Sequence, residues 1–126
     1  GPAVVTLTRF VSNTATDHGG ALRILNDCLE VRQSWFIDNK TTSRHGGAIH
    51  SDPTARELIL SGNLFCKNNA RNRGGAVFVG LASTGRADIG QNVFQENVST
   101  EVGGALFLTD AAGSKTTFHR NTVVGN

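Results

Sequence analysis

Ten carboxylates, four histidines and two cysteines can carry acid–base, metal or thiol chemistry in this 126-residue chain. Acid–base work on a sugar polymer needs carboxylates clustered on one face, or a carboxylate beside arginine or lysine. Asp17, Asp27, Glu30, Asp38, Asp52, Glu57, Asp88, Glu96, Glu101 and Asp110 are instead spread along the whole sequence. Metal binding needs His, Cys or carboxylate at ligand spacing. His18 and His45 recur one repeat apart, but no cysteine or carboxylate column stands with them, so they read as polar corner residues. Cys28 and Cys66 match no metal motif and no disulfide framework, and are expected as free thiols. No calcium-loop motif is present. The expectation is a protein without cofactor, metal or catalytic site.

What must position these side chains is a repeat. Phe-x-x-Asn occurs at Phe10–Asn13, Phe36–Asn39, Phe65–Asn68, Phe94–Asn97 and Phe118–Asn121. Gly-Gly-Ala followed by an aliphatic occurs at Gly19-Gly20, Gly46-Gly47, Gly74-Gly75 and Gly103-Gly104. The phenylalanines are 26, 29, 29 and 24 residues apart, and the Gly-Gly pairs 27, 28 and 29. Apolar and polar residues alternate over three to five positions, the period of a strand. Strands are expected at Ala21–Leu25, Ala48–Ser51, Ala76–Val79 and Ala105–Leu108 after each Gly-Gly. Others are expected at Leu29–Val31, Leu58–Leu60 and Ala87–Ile89, with a third set around Phe-x-x-Asn. Units of 24–29 residues with three short strands and no helix predict an all-β, right-handed parallel β-helix of about four to five coils.

Stacking coils at about 4.8 Å turns each repeated position into a column. The five motif phenylalanines predict an interior aromatic stack. The five asparagines predict an amide ladder whose members satisfy one another. Gly-Gly supplies a tight corner. If Leu22, Ile49, Val77 and Leu106 face inward, then Arg23, His50, Phe78 and Phe107 face outward as a candidate binding column. Ser12, Asp38, Lys67, Glu96 and Arg120 alternate in sign, which favours one register between coils. Trp35 lies in a column with Arg9, Leu64, Val93 and Thr117, a partly buried strand position that also suits sugar stacking.

Phased Phe-x-x-Asn and Gly-Gly-Ala-aliphatic motifs resemble the passenger repeats of chlamydial polymorphic membrane proteins. The resemblance spans Phe10 to Asn121. It implies a β-helical autotransporter passenger displayed outside an outer-membrane barrel, acting as an adhesin toward host cells. On that reading Gly1-Pro2 is a cleavage scar and residues 3–126 are one domain cut from a longer passenger. The partner expected is a host or cell-surface protein receptor, with a glycan as the alternative. The rival functions are a polysaccharide-modifying β-helix and a structural stalk. Open ends predict either end-to-end self-association or cover by the chain's own terminal residues.

Composition sets the outer bounds. Glycine (15), asparagine (11), threonine (13) and serine (8) exceed a third of the chain, whereas charged residues make up 17%, below the roughly 25% usual for soluble domains. Long charged helices are therefore disfavoured. A hydrophobic fraction of 38% supplies a core. A net charge of +2 is too small to argue for nucleic acid.

Overall fold

The computed structural model describes residues 3–109 and 111–126, with short strands joined by turns, bends and irregular links and no helix among them. Each coil carries four strands. The first coil has β1 (Ala3–Thr6), β2 (Arg9–Val11), β3 (Thr14–Ala15) and β4 (Leu22–Ile24). The second has β5 (Cys28–Arg32), β6 (Trp35–Ile37), β7 (Lys40–Thr41) and β8 (Ile49–Ser51). The third has β9 (Glu57–Ser61), β10 (Leu64–Cys66), β11 (Asn69–Ala70) and β12 (Val77–Val79). The fourth has β13 (Arg86–Gly90), β14 (Val93–Gln95), β15 (Val98–Ser99) and β16 (Leu106–Leu108), and β17 (Lys115–His119) and β18 (Thr122–Val124) begin a fifth.

Corresponding strands pair in parallel, in register, to give four sheets around one core. Sheet A is β1-β5-β9-β13-β17, sheet B is β2-β6-β10-β14-β18, sheet C is β3-β7-β11-β15 and sheet D is β4-β8-β12-β16. The chain is a parallel β-solenoid of about four turns, as the repeat predicts.

Two corners explain why four strands form where three were expected. Asn13, Asn39, Asn68 and Asn97 each follow a residue held at positive φ: Ser12, Asp38, Lys67 and Glu96, at 54–57°. That backbone breaks the strand and starts the two-residue strand of sheet C. At the corner between sheets A and B, Leu7, Gln33, Gln91 and Arg120 take the same conformation, as does Gly62.

Each corner is closed by its own amide ladder. In the first, Nδ2 of Asn13, Asn39 and Asn68 donates to Oδ1 of the asparagine one coil on, at 2.9–3.0 Å. The same Oδ1 accepts the preceding backbone N–H. The ladder ends on Asn126, which accepts from Asn97. The second ladder runs Ser34, Asn63, Asn92 and Asn121 with the same geometry. Asn121 therefore does not belong to the Phe-x-x-Asn ladder.

Phe118 is displaced with it. It pairs with Ile89 in sheet A, and the residue in register with Phe94 is Val123. The interval of 24 is a 29-residue period with the phenylalanine moved five positions forward. Phe10, Phe36, Phe65 and Phe94 do stack, with centroids 4.8–4.9 Å apart. Phe118 meets Phe94 only at 6.4 Å and is half exposed.

The interior is filled by Phe36, Phe65 and Phe94 with Ile49, Leu58, Leu60, Val77 and Ile89, all sealed from solvent. The Gly-Gly corner is forced by packing. A Cβ on Gly75 would lie 1.9 Å from the Gly104 carbonyl oxygen of the next coil.

Candidate functional site

The column Arg23, His50, Phe78 and Phe107 stands in register on sheet D, pointing away from the main core. It is not the exposed stripe expected from sequence. His50 is 2% exposed and Phe78 5%, Phe107 is partly covered, and Arg23 alone is open. The cover comes from the loop before each Gly-Gly, which reaches onto the following coil. His18 stacks on His50 at 4.1 Å, His45 on Phe78 at 4.7 Å, and the Arg73 guanidinium lies 5.2 Å over Phe107. A second, satellite aromatic stack results, with His50–Phe78 at 4.8 Å and Phe78–Phe107 at 5.4 Å.

Burial pushes His18, His45 and His50 below the ordinary imidazole value, His50 to about 3. Nδ1 of each is buried without a hydrogen-bond partner. Three ligands facing a common point are needed to hold a metal tightly. Stacked rings do not converge that way, and the described residues contain no such cluster.

The outer face of sheet A is where charge is concentrated. Alternation along β9, β13 and β17 points Glu57, Ile59, Arg86, Asp88, Lys115 and Thr117 outward, opposite the core residues Leu58, Leu60, Ala87 and Ile89. Glu57 pairs with Arg86 and Glu30 with Arg32. Asp88 Oδ1 lies 2.7 Å from His119 Nε2. The His119 ring folds across Gly90, where a Cβ would meet it at 2.3 Å, so a larger residue there would make the ring shift. Arg86 and Lys115 are neighbours in register. Lys115 has no carboxylate partner among the described residues.

Between these side chains lies a concavity of about 230 Å³, walled by Glu57, Arg86, Asp88 and Lys115 over Ile59. A smaller one of about 130 Å³ sits between Arg32, Ser61 and His119. Linear reading misses this face because its acidic residues scatter along the sequence. Glu30 and Glu57 do not align: Glu30 is in register with Ile59, and Glu57 with Cys28. Glu30 and Asp88 share one column across Ile59. The available signal was the outward pair in each strand, Glu30/Arg32, Glu57/Ile59 and Arg86/Asp88, in phase with the repeat. Asp110 lies outside the described residues. Glu30 and Glu57 of this face are each engaged by an arginine, and Asp88 by the His119 imidazole.

Trp35 is 47% exposed, more open than expected, with the Arg9 guanidinium 5.1 Å from its ring. Its column continues through Leu64 and Val93 to Thr122, not Thr117. A largely apolar concavity of about 320 Å³ adjoins it, lined by Leu7, Thr8, Arg9 and Gln33. Asp38, Lys67 and Glu96 serve as positive-φ corner residues, and Arg120 belongs to the other corner. No ion pair links Asp38, Lys67 and Glu96 among the described residues. Cys28 and Cys66 are free thiols on different sheets. Compared with known proteins, the chain matches no family model, no curated relative and no solved structure.

Proposed function

We propose that this chain is a surface-displayed, non-catalytic binding module that docks a host or cell-surface protein on the outer face of sheet A. The observation that carries the reading is the concavity of about 230 Å³ flanked by Arg86 and Lys115 on a rigid sheet. The salt-bridged neighbours hold its walls in place, and Lys115, which no described carboxylate engages, selects an acidic feature on the partner. Successive coils set Arg32, Arg86 and Lys115 on this one sheet, so several weak contacts act together. The resemblance to autotransporter adhesin passengers supports the same reading and an extracellular location.

The test is binding of the purified chain to cells, with and without the double substitution Arg86→Ala/Lys115→Glu. Both positions lie on the open outer face, and the Arg86–Glu57 pair that is lost is worth about 0–1 kcal/mol, so the fold should be retained. The expected result is saturable, salt-sensitive binding that weakens at least tenfold in the variant. Undiminished binding by the folded variant rejects this face. A second reading, glycan recognition, is favoured by Trp35 beside its concavity of about 320 Å³. A glycan array that responds to wild type and not to Trp35→Ala would select it. Failure of both assays would leave a stalk.

A further inference from the structure

We propose that the His18, His45 and His50 stack is an acid-released clasp. Protonation frees the loops carrying His18 and His45 from the outer face of sheet D and uncovers the Phe78 ring. This inference uses a different face from the docking proposal and stands independently of it.

The clasp is assembled from two loops and one strand. His18 precedes Gly19, His45 precedes Gly46, and His50 lies in β8. Ring centroids are 4.1 Å apart for His18–His50, 5.4 Å for His18–His45 and 6.2 Å for His45–His50. His45 also stacks on Phe78. Neutral imidazoles stack here as ordinary aromatic rings. A proton on any of them places a cation against two more imidazoles.

Nearby carboxylates offset that cation only in part, because arginines share them. Asp17 faces His18 but bonds Arg44 at 2.9 Å. Asp52 faces His50 but bonds Arg23 at 3.1 Å. Glu101 faces His45 but bonds Arg73 at 3.4 Å. Those three arginines add their own repulsion to the imidazolium. Nδ1 is the second determinant. In the neutral tautomer bearing hydrogen on Nε2 it is an unpaired acceptor, a modest cost. In the imidazolium it becomes a buried charged donor with nothing to bond, a much larger one.

The direction of the pH effect follows. The open loop takes up protons near the ordinary value of 6.5, whereas the closed stack resists them until lower pH. Closure is therefore fully favoured above pH 6.5 and weakens as pH falls. For His50 alone the closed-to-open ratio drops about tenfold per pH unit until about pH 3.

Two measurements on the intact chain decide the matter. In an NMR titration, His18, His45 and His50 should titrate below 6.5, with His50 lowest. Titration of all three at or above 6.5 overturns the proposal. In hydrogen exchange corrected for intrinsic rates, protection of loop residues 43–47 should fall up to roughly a hundredfold between pH 6.5 and 4.5, while β9 keeps its protection. His50→Phe, which repeats what Phe78 and Phe107 already do in the next coils, should retain protection at pH 4.5. Should that variant not fold, His45→Val, which copies Val102 two coils on, takes its place. Equal acid sensitivity in wild type and variant, no loss at all, or uniform loss across all sheets overturns the clasp.

Discussion

At the scale of single residues, buried amides and rings divide the work of stability. Asn68 is sealed from solvent, and its side chain meets four groups. Oδ1 accepts from the Asn39 backbone N–H and from Asn39 Nδ2. Nδ2 donates to the Phe36 carbonyl and to Asn97 Oδ1. Asn68→Ala strands these partners where water does not reach, at about 1–3 kcal/mol for each group left unpaired. We expect a loss of at least about 3 kcal/mol in chemical denaturation. Asn68→Asp should be no better at neutral pH, because it replaces the donor with a second acceptor facing two oxygens. Phe65→Ala empties one layer of the aromatic stack and should cost about 3–5 kcal/mol. Either variant with an unchanged midpoint would contradict the buried roles assigned here.

At the scale of strands and corners, the repeat separates two kinds of special backbone. Gly75 sits where a Cβ would strike the backbone of the next coil, so Gly75→Ala should push the third and fourth coils apart at this corner and sharply lower the unfolding midpoint. Glu96 only needs positive φ, with its side chain in solvent. A non-glycine residue there costs roughly 1–2 kcal/mol, against about 0.5–1 kcal/mol of extra chain entropy for glycine. Glu96→Gly should therefore raise stability by about 0.5 kcal/mol, and Gly125 already occupies the equivalent corner. Much of this level was legible in the sequence. Alternation located the strands of sheets A, B and D, and the Gly-Gly phase located a corner. Matching Phe-x-x-Asn by identity misplaces Phe118 and Asn121, where holding the 29-residue period from Phe94 leads to Val123 and Asn126. The second ladder was hidden because Ser34 and Thr8 stand where later coils have asparagine. The burial of His50 and Phe78 was not legible, because it depends on each loop crossing to the following coil, a three-dimensional offset that no column alignment contains.

At the scale of the whole molecule, the solenoid has two unlike ends. In the last coil, core-facing Val123 and Phe118 are 52% and 46% exposed. At the first coil, Val5 and Phe10 are only partly covered. The amide ladder is directional at its oxygens: each Oδ1 accepts from the coil before, while Nδ2 donates both to the next asparagine and back to a phenylalanine carbonyl of the coil before. The first coil thus presents an acceptor at Asn13, and the last a backbone donor at Asn126. Head-to-tail contact between copies matches these groups and continues the parallel sheets. Light scattering of the isolated 126-residue chain should therefore rise with concentration, and Val123→Asp should suppress the rise. A monomer at every concentration would contradict this. The same stacking fixes how the molecule meets mechanical load. Strands run across the axis, and their hydrogen bonds run along it. Tension applied end to end pulls directly on one row of bonds at a time, so coils peel in sequence without sharing the strain. Each coil contains 29 residues at the regular period and releases at most roughly 100 Å of chain. Tethered at both ends, the solenoid would lengthen in discrete steps, a reel that yields under a sudden pull while the remaining coils keep their shape.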